Sequence, residues 1–407
     1  MTAGRAATPS PVRHVDDRER RARLAVRHAL HPDHRVTDTL AATRAMTVLH
    51  ATEAATVHLA VHARTDGPTA ADVDRALYEE RSVLKQLAMR RTLFVVPRDL
   101  LPAALGSASA RVAAEQRRLV ARAAERHGVA DDGPAWLEAA CAAVLRRLAG
   151  AAPMSARELR EALPELTGTV TANLDKRYGG TSHLAPRVLT TLGAEGRLTR
   201  GPNAGHWRLS RPTWTLMSDW LGEQVSPLAA EEGYAVLVRR WLRTFGPGTL
   251  EDLQWWLGST KGAARAALAD VGAVAVSLDG GATGWLLPDD LDPVAPVEPW
   301  AALLPTLDPT TMGWKQRDFY LDPGHTAYLF DSNGNGGTTA WWDGRVVGAW
   351  VQDEEGAVRV VPAPRADLGA GARDTLDREA RRLTGWLDGV RITNVYSSAL
   401  MRGARLP

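Results

Sequence analysis

The alternation of apolar and polar positions predicts one small pattern used three times: two or three helices, then a two-stranded hairpin. In the clearest copy, 153–209, helical runs over 155–163 and 184–195 come first. They are followed by Gly196-Arg-Leu-Thr-Arg-Gly-Pro-Asn-Ala-Gly-His-Trp-Arg-Leu, which reads as strand, turn and strand. A second copy lies over 234–288. Its helical run 234–245 is broken by Gly246-Pro-Gly, and 249–257 follows with Thr249 as N-cap and Asp252 three residues on. A third run, 260–271, leads into strands 274–278 and 284–287, split by Asp279-Gly-Gly. The remaining copy lies over 36–97 and closes on Arg91-Thr-Leu-Phe-Val-Val-Pro, which has strand composition and a proline stop. The copies share a pattern and almost no identical residues.

A helix-turn-helix carrying a β-ribbon is a winged helix, a unit that offers one helix to a DNA groove and its wing to the neighbouring backbone. The fold class expected is therefore α+β, mainly α: three tandem winged-helix units followed by a small β-rich C-terminal domain. Residues 1–15 are small, polar and proline-bearing, and are expected to be disordered. Composition shifts then divide the chain into 16–134, 135–230, 231–290 and 291–407. The last boundary is the proline-rich run Asp289-Asp-Leu-Asp-Pro-Val-Ala-Pro-Val-Glu-Pro. Beyond it, Trp341-Trp-Asp-Gly-Arg-Val-Val-Gly reads as a hairpin around an Asp-Gly turn, 358–362 as a further strand and 366–387 as a helix. Trp300, Trp314, Trp341, Trp342 and Trp350 read as the core of this domain rather than as a platform for stacking bases.

At 407 residues the chain has room for several cores. One cysteine, Cys141, excludes an internal disulfide and a cysteine-based metal site and fits a reducing cytoplasm. The N-terminus is charged, without an apolar signal-type core, and no apolar run is long enough to span a bilayer, so a soluble, cytoplasmic protein is expected. As a DNA-binding protein it would be nucleoid-associated, and a monomer is the expected state. The net charge of +2 conceals a split. Residues 1–128 carry 21 basic and 14 acidic residues, a surplus of +7, and the remaining 28 basic and 33 acidic residues give −5. The basic end suits an anionic partner. Only Lys85, Lys176, Lys261 and Lys315 are lysines. The arginine bias suits bidentate phosphate contact, and a GC-rich genome would produce it equally.

Metal and cofactor chemistry finds no support. His58 and His62 are spaced i, i+4, but no Glu sits between them in the zinc-protease pattern and no third ligand is evident. No phosphate loop, nucleophile elbow or dinucleotide fingerprint is present. The remaining candidate is Val48-Leu-His-Ala-Thr-Glu. Here His50 and Thr52, two positions apart, can converge on one water, with His the side chain best suited to proton transfer near neutrality. A helix cap beside a surface histidine would look the same.

The run Val48-Leu-His-Ala-Thr-Glu-Ala-Ala-Thr-Val-His-Leu-Ala-Val-His-Ala-Arg resembles the N-terminal motif region of the AlkZ/YcaQ-like winged-helix DNA glycosylases. So do Arg75-Ala-Leu-Tyr-Glu-Glu-Arg-Ser-Val-Leu-Lys, Ala88-Met-Arg-Arg-Thr-Leu-Phe-Val-Val-Pro and Leu304-Pro-Thr-Leu-Asp-Pro-Thr-Thr-Met-Gly-Trp-Lys-Gln-Arg, in the same order. The resemblance covers roughly residues 20 to 400. It implies three winged helices forming a concave DNA-binding surface, and excision of alkylated bases, bulky adducts and some crosslinks included. It also implies that the lesion stays outside a snug base pocket. The family carries Gln-x-Gln or Gln-x-Asp where this chain has His50-Ala51-Thr52. His50 would then hold the attacking water and Thr52 would stabilise the sugar cation. The departure leaves three alternatives: His50 supplies the base, the reaction relies on a labile cationic adduct, or activity is reduced or lost.

On this reading the protein is a monofunctional glycosylase acting on N7- or N3-alkylated purines in double-stranded DNA, with no cofactor and no metal. Its role would be base excision repair or self-resistance to a genotoxic natural product. The absence of a lysine near the motif in sequence argues against a Schiff-base mechanism. Expected DNA contacts are Arg90 and Arg91, ahead of the first closing strand; Arg177, Thr181, Ser182 and Arg187, around the second recognition helix; Arg197 and Arg200 on its wing; and Lys315 and Arg317. The competing reading is a non-catalytic winged-helix DNA-binding protein or regulator.

Overall fold

The computed structural model describes residues 10–172, 180–366 and 368–403. Contacts divide the chain into two compact units, one of Val48–His58 and Ala70–Tyr234, the other of Met1–Thr47, Leu59–Thr69 and Ala235–Pro407. The class is mixed α+β, with small sheets among many helices.

Along the chain, one order of elements recurs. Helix Thr39–Ala45, strand Leu49–His50 and helices Ala54–Arg64 and Ala70–Tyr78 lead to the hairpin Val83–Leu87/Leu93–Pro97. Helix Gly133–Leu148, strand Met154–Ser155 and helices Ala156–Ala162 and Ala185–Ala194 lead to Leu198–Asn203/Pro212–Leu216. Helices Ala230–Phe245, Leu250–Leu257 and Lys261–Asp270 lead to Val274–Leu278/Thr283–Leu286. In the first two sheets the short early strand pairs with the last strand of the hairpin. Local chemistry starts these helices where the sequence says it should. Thr249 and Asp252 form a reciprocal capping box, as do Ser155 and Glu158.

In the unit built on 70–234, apolar faces of helices Gly133–Leu148 and Ala185–Ala194 close over a core containing Leu137, Cys141, Val144, Val188 and Leu192. In the other unit, strands Ala301–Leu304, Thr339–Trp342, Arg345–Gln352 and Val358–Pro362 form an antiparallel sheet, and helix Ala370–Leu387 packs on it. Asp343 and Gly344 both have positive φ, 45° and 76°, as a two-residue hairpin turn requires. Trp300, Trp314, Trp341 and Trp350 are buried and Trp342 is partly buried. Three of these indoles find partners inside: Trp350 Nε1 donates to the Leu304 carbonyl at 2.8 Å, Trp341 Nε1 to Thr339 Oγ1 at 2.8 Å and Trp314 Nε1 to the Phe245 carbonyl at 3.2 Å.

Three expectations need correction. The N-terminal stretch is ordered from residue 10 on: His14–Val15 is a strand paired in parallel with Ser277 and Leu278, and Val15 is fully buried beside Val276 and Leu286. Two residues are too few to show a period, and the partner strand lies far along the chain. In the second hairpin, 206–209 is turn rather than strand. The Asn203 side chain substitutes for the ladder, donating to the carbonyls of His206 and Leu209 and accepting from the Arg211 N–H, so pairing resumes only at Pro212. Finally, Thr181 and Ser182 do precede the start of helix Ala185–Ala194, but on a strand pair that the sequence pattern does not show, Thr169–Ala172/Gly180–His183.

Two of the segments that carry the family resemblance are fastened together by charge. The Arg64 guanidinium donates to both oxygens of Asp308 at 2.9 and 2.7 Å, and to Thr310 Oγ1 at 2.8 Å. Both ions are wholly buried. Removing one partner strands the other charge in the interior, which typically costs 3–5 kcal/mol. Arg64→Ala is expected to lose about that much stability in urea titrations; an unchanged midpoint would mean that this fastening is dispensable.

Candidate hydrolytic site and nucleic-acid interface

His50 ends a two-residue edge strand whose register pairs it with Phe94, and Phe94 in turn with Gln86. The imidazole is 5% exposed and meets the Phe94 ring edge-on, with centroids 5.2 Å apart. Its Nδ1 has no hydrogen-bond partner. Burial first, and the nearby Arg90 guanidinium second, press its pKa down to about 3. A group that weak takes no proton from water near neutrality. Of the three alternatives left open by the sequence, the one with His50 as base is therefore the weakest. What remains to it is the role of a neutral hydrogen-bonding group.

Thr52 is exposed on the bend that follows, and Glu53, at the start of helix Ala54–Arg64, is 7% exposed. This buried carboxylate, one residue from Thr52, has no role in the sequence reading. The signal was present, an acid inside the motif string, but nothing local announces its burial.

Lys85 also changes the picture. It lines a small cavity with Ala51 and Ala54, and so lies beside the motif despite its distance in sequence. Directly paired residues share a face of a sheet. Lys85 pairs with Val95, which pairs with Leu49, so Lys85 projects from the face opposite His50.

The expected DNA contacts separate into groups. Arg90 and Arg91 form the turn between Val83–Leu87 and Leu93–Pro97, both with left-handed backbone, φ 53° and 59°. Arg91 and Arg187 converge on one cavity of about 580 Å³, where they meet Arg122, Arg126 and His127. Arg122 and Arg126 are one turn apart at the end of helix Ala110–Arg126, where cations also suit the helix dipole. All four arginines are exposed, and no described carboxylate lines this cavity. Sequence reading missed Arg122, Arg126 and His127, although the i, i+4 spacing was a usable signal. Thr181 and Ser182 are exposed on their hairpin, Arg197 is exposed ahead of the wing, and Arg200 is partly buried on it. Arg177 lies outside the described residues. Lys315 and Arg317 belong to the other unit. There Lys315 Nζ pairs with Glu251 at 2.6 Å, and Arg317 stacks over Phe330 with Cζ 4.4 Å from the ring centroid. Lys315 is thus held in an exposed ion pair and Arg317 against an aromatic ring of the same unit.

His58 and His62 show no metal geometry, and no group of three ligating side chains occurs among the described residues. His58 Nε2 lies 3.1 Å from Asp74 Oδ1 and its ring packs on Trp207. His62 packs on Trp386, and burial holds its pKa at about 2. With His28 and His50 this makes three histidines kept neutral by burial. An unfolded chain takes up these protons below about pH 6.5, and the folded one does not until near pH 3 for His50. Stability is therefore complete above pH 6.5 and falls as pH is lowered, by up to about 1.4 kcal/mol per unit for each histidine. Urea midpoints between pH 7 and 4 should show this slope, and His50→Gln should remove one proton from it; a slope unaffected by His50→Gln would refute the assignment.

A family model for AlkZ-like DNA glycosylases matches residues 43–386, most of the chain. The protein belongs to the AlkZ-like DNA glycosylase family. The structure is similar to the DNA glycosylase AlkZ of Streptomyces sahachiroi, with a TM-score of 0.71 and 20% identity, covering 91% of this chain and 97% of that one. No curated protein matches by sequence. The region matched to the AlkZ-like family contains the His50–Glu53 segment and the arginine-lined cavity. No helix among the described residues is long and apolar enough to cross a membrane.

Proposed function

We propose that this protein is a monofunctional DNA glycosylase that hydrolyses the N-glycosidic bond of N7- or N3-alkylated purines in duplex DNA. The three repeats of helix, helix, helix and hairpin are read as tandem winged helices, within 16–134, 135–230 and 231–290, followed by a C-terminal domain over 291–407. The observation that carries the reading is the pairing, in one compact unit, of a buried carboxylate beside His50 and Thr52 with an arginine-lined cavity free of described carboxylates.

Chemistry follows from charge. An alkylated purine already carries the positive charge that makes it a leaving group, so the protein need not protonate it. As the bond stretches, the sugar becomes an oxocarbenium ion, which a nearby carboxylate stabilises, as in glycosidases. Glu53 is assigned that role together with proton acceptance from water; His50 and Thr52 hold the water. The nucleophile is water, since Lys85 projects from the sheet face opposite His50. The product is an abasic site. The family resemblance further suggests a lesion engaged on an open surface, which does not limit adduct size, so bulky adducts are included as substrates and repair or self-resistance as the purpose.

A test separates His50 as water holder from His50 as base. His50→Gln keeps a neutral hydrogen-bonding group and should retain base release from methylated duplex to within about tenfold, whereas His50→Ala should lose most of it. Equal loss in both variants would restore the base role. Full release by His50→Ala would remove this segment from the mechanism.

A further inference from the structure

Lys85 and Arg200 stand out as cations without counter-ions. Lys85, on strand Val83–Leu87, donates from Nζ to the Tyr78 hydroxyl at 2.9 Å. Arg200, on strand Leu198–Asn203, lies over Trp214 with Cζ 4.3 Å from the ring centroid, and its buried Nε has no hydrogen-bond partner. Neither forms an ion pair with a described carboxylate. Both line the same two small cavities, as does Leu93, and no described carboxylate lines either one. Burial and the adjacent Arg200 pull the Lys85 amine down to about 8, against the opposing pull of Asp74. Holding two like charges together in a dry place is unfavourable unless an anion joins them.

The size of the space narrows the choice of anion. Each cavity is about 20 Å³, enough for one water or one oxygen atom and too small for a base or sugar ring. Ala51 and Ala54, on the wall of the first, flank the Thr52–Glu53 step. We propose that Lys85 and Arg200 form a phosphate site that seats an oxygen of the DNA phosphodiester backbone where it passes the Ala51–Ala54 segment. In its DNA form this rests on the glycosylase reading above. The site would fix the strand relative to Glu53, with Trp214 holding the guanidinium flat and Tyr78 aiming the amine.

The test uses the full chain and the variants Lys85→Met and Arg200→Met, which keep most of each stem and remove the charge, with Arg147→Met as an exposed control. Melting is followed in inorganic phosphate and in chloride of equal ionic strength, and duplex binding is followed against salt. Free Lys85→Met and Arg200→Met should melt at or above wild type, since repulsion is relieved. Phosphate should raise the wild-type and control midpoints and not those of the two variants. The salt slope of duplex binding should fall by about 0.9 in each variant. Loss of the phosphate response with an unchanged slope would support an anion site and overturn DNA as its ligand. A phosphate response equal in all four proteins would overturn the site. If wild type fails to bind duplex, the glycosylase reading falls, and the phosphate arm still decides this one.

Discussion

Glu53→Gln is expected to slow base release by about 10²- to 10⁴-fold, the usual contribution of a positioned general base. The substitution is nearly isosteric and removes only the charge. Because Glu53 is buried, a carboxylate there acts in a medium where its field is poorly screened. It therefore matters most when positive charge develops on the sugar. Duplex affinity should be unchanged, since the arginines carry it. Single-turnover kinetics with a methylated duplex check this. A wild-type rate in Glu53→Gln would leave His50 and Thr52 as the only candidates in the segment, and with them a reaction driven almost wholly by the lability of the adduct.

The second large effect concerns binding. Replacing Arg91, Arg122, Arg126 and Arg187 together by Gln should lower the salt slope of duplex binding by about 3 to 4, near 0.9 for each phosphate that is no longer neutralised. Between 50 and 200 mM salt, wild type should then lose on the order of 10²-fold more affinity than the variant. All four side chains are exposed and no described carboxylate lines their cavity, so the fold should tolerate the change. Replacing Lys315 should matter much less, because its ammonium is already paired with Glu251. The opposite order of effects would move the DNA path to the other unit.

What the sequence made legible was local. Thr249 with Asp252 announced a helix start, and the same Asp252 also accepts the backbone N–H groups of Lys315 and Gln316 at 2.9 Å, which no local rule foretells. Asp343-Gly344 announced a hairpin because both positions need positive φ. What stayed hidden depends on chain segments meeting across long separations. Val15 finds its strand partner at Leu278, Arg64 finds Asp308, and Lys85 comes to lie beside Ala51. The His50–Thr52 pair was visible as residue types, yet its chemistry turns on burial. Burial weakens His50 as a base and brings forward Glu53, which spacing alone does not distinguish from a surface acid. Arg91 and Arg187 were visible singly; that they share a cavity with Arg122 and Arg126 is a property of the packed helices.

The central claim is tested most directly by mass spectrometry of bases released by wild-type protein. One duplex is treated with a simple methylating agent and a second with a bulky guanine N7-alkylating compound. The account predicts free alkylated purine from at least the methylated duplex, with an intact abasic strand left behind. Tight, salt-sensitive binding to both duplexes with no base released from either would contradict it and leave a DNA-binding protein without hydrolytic activity.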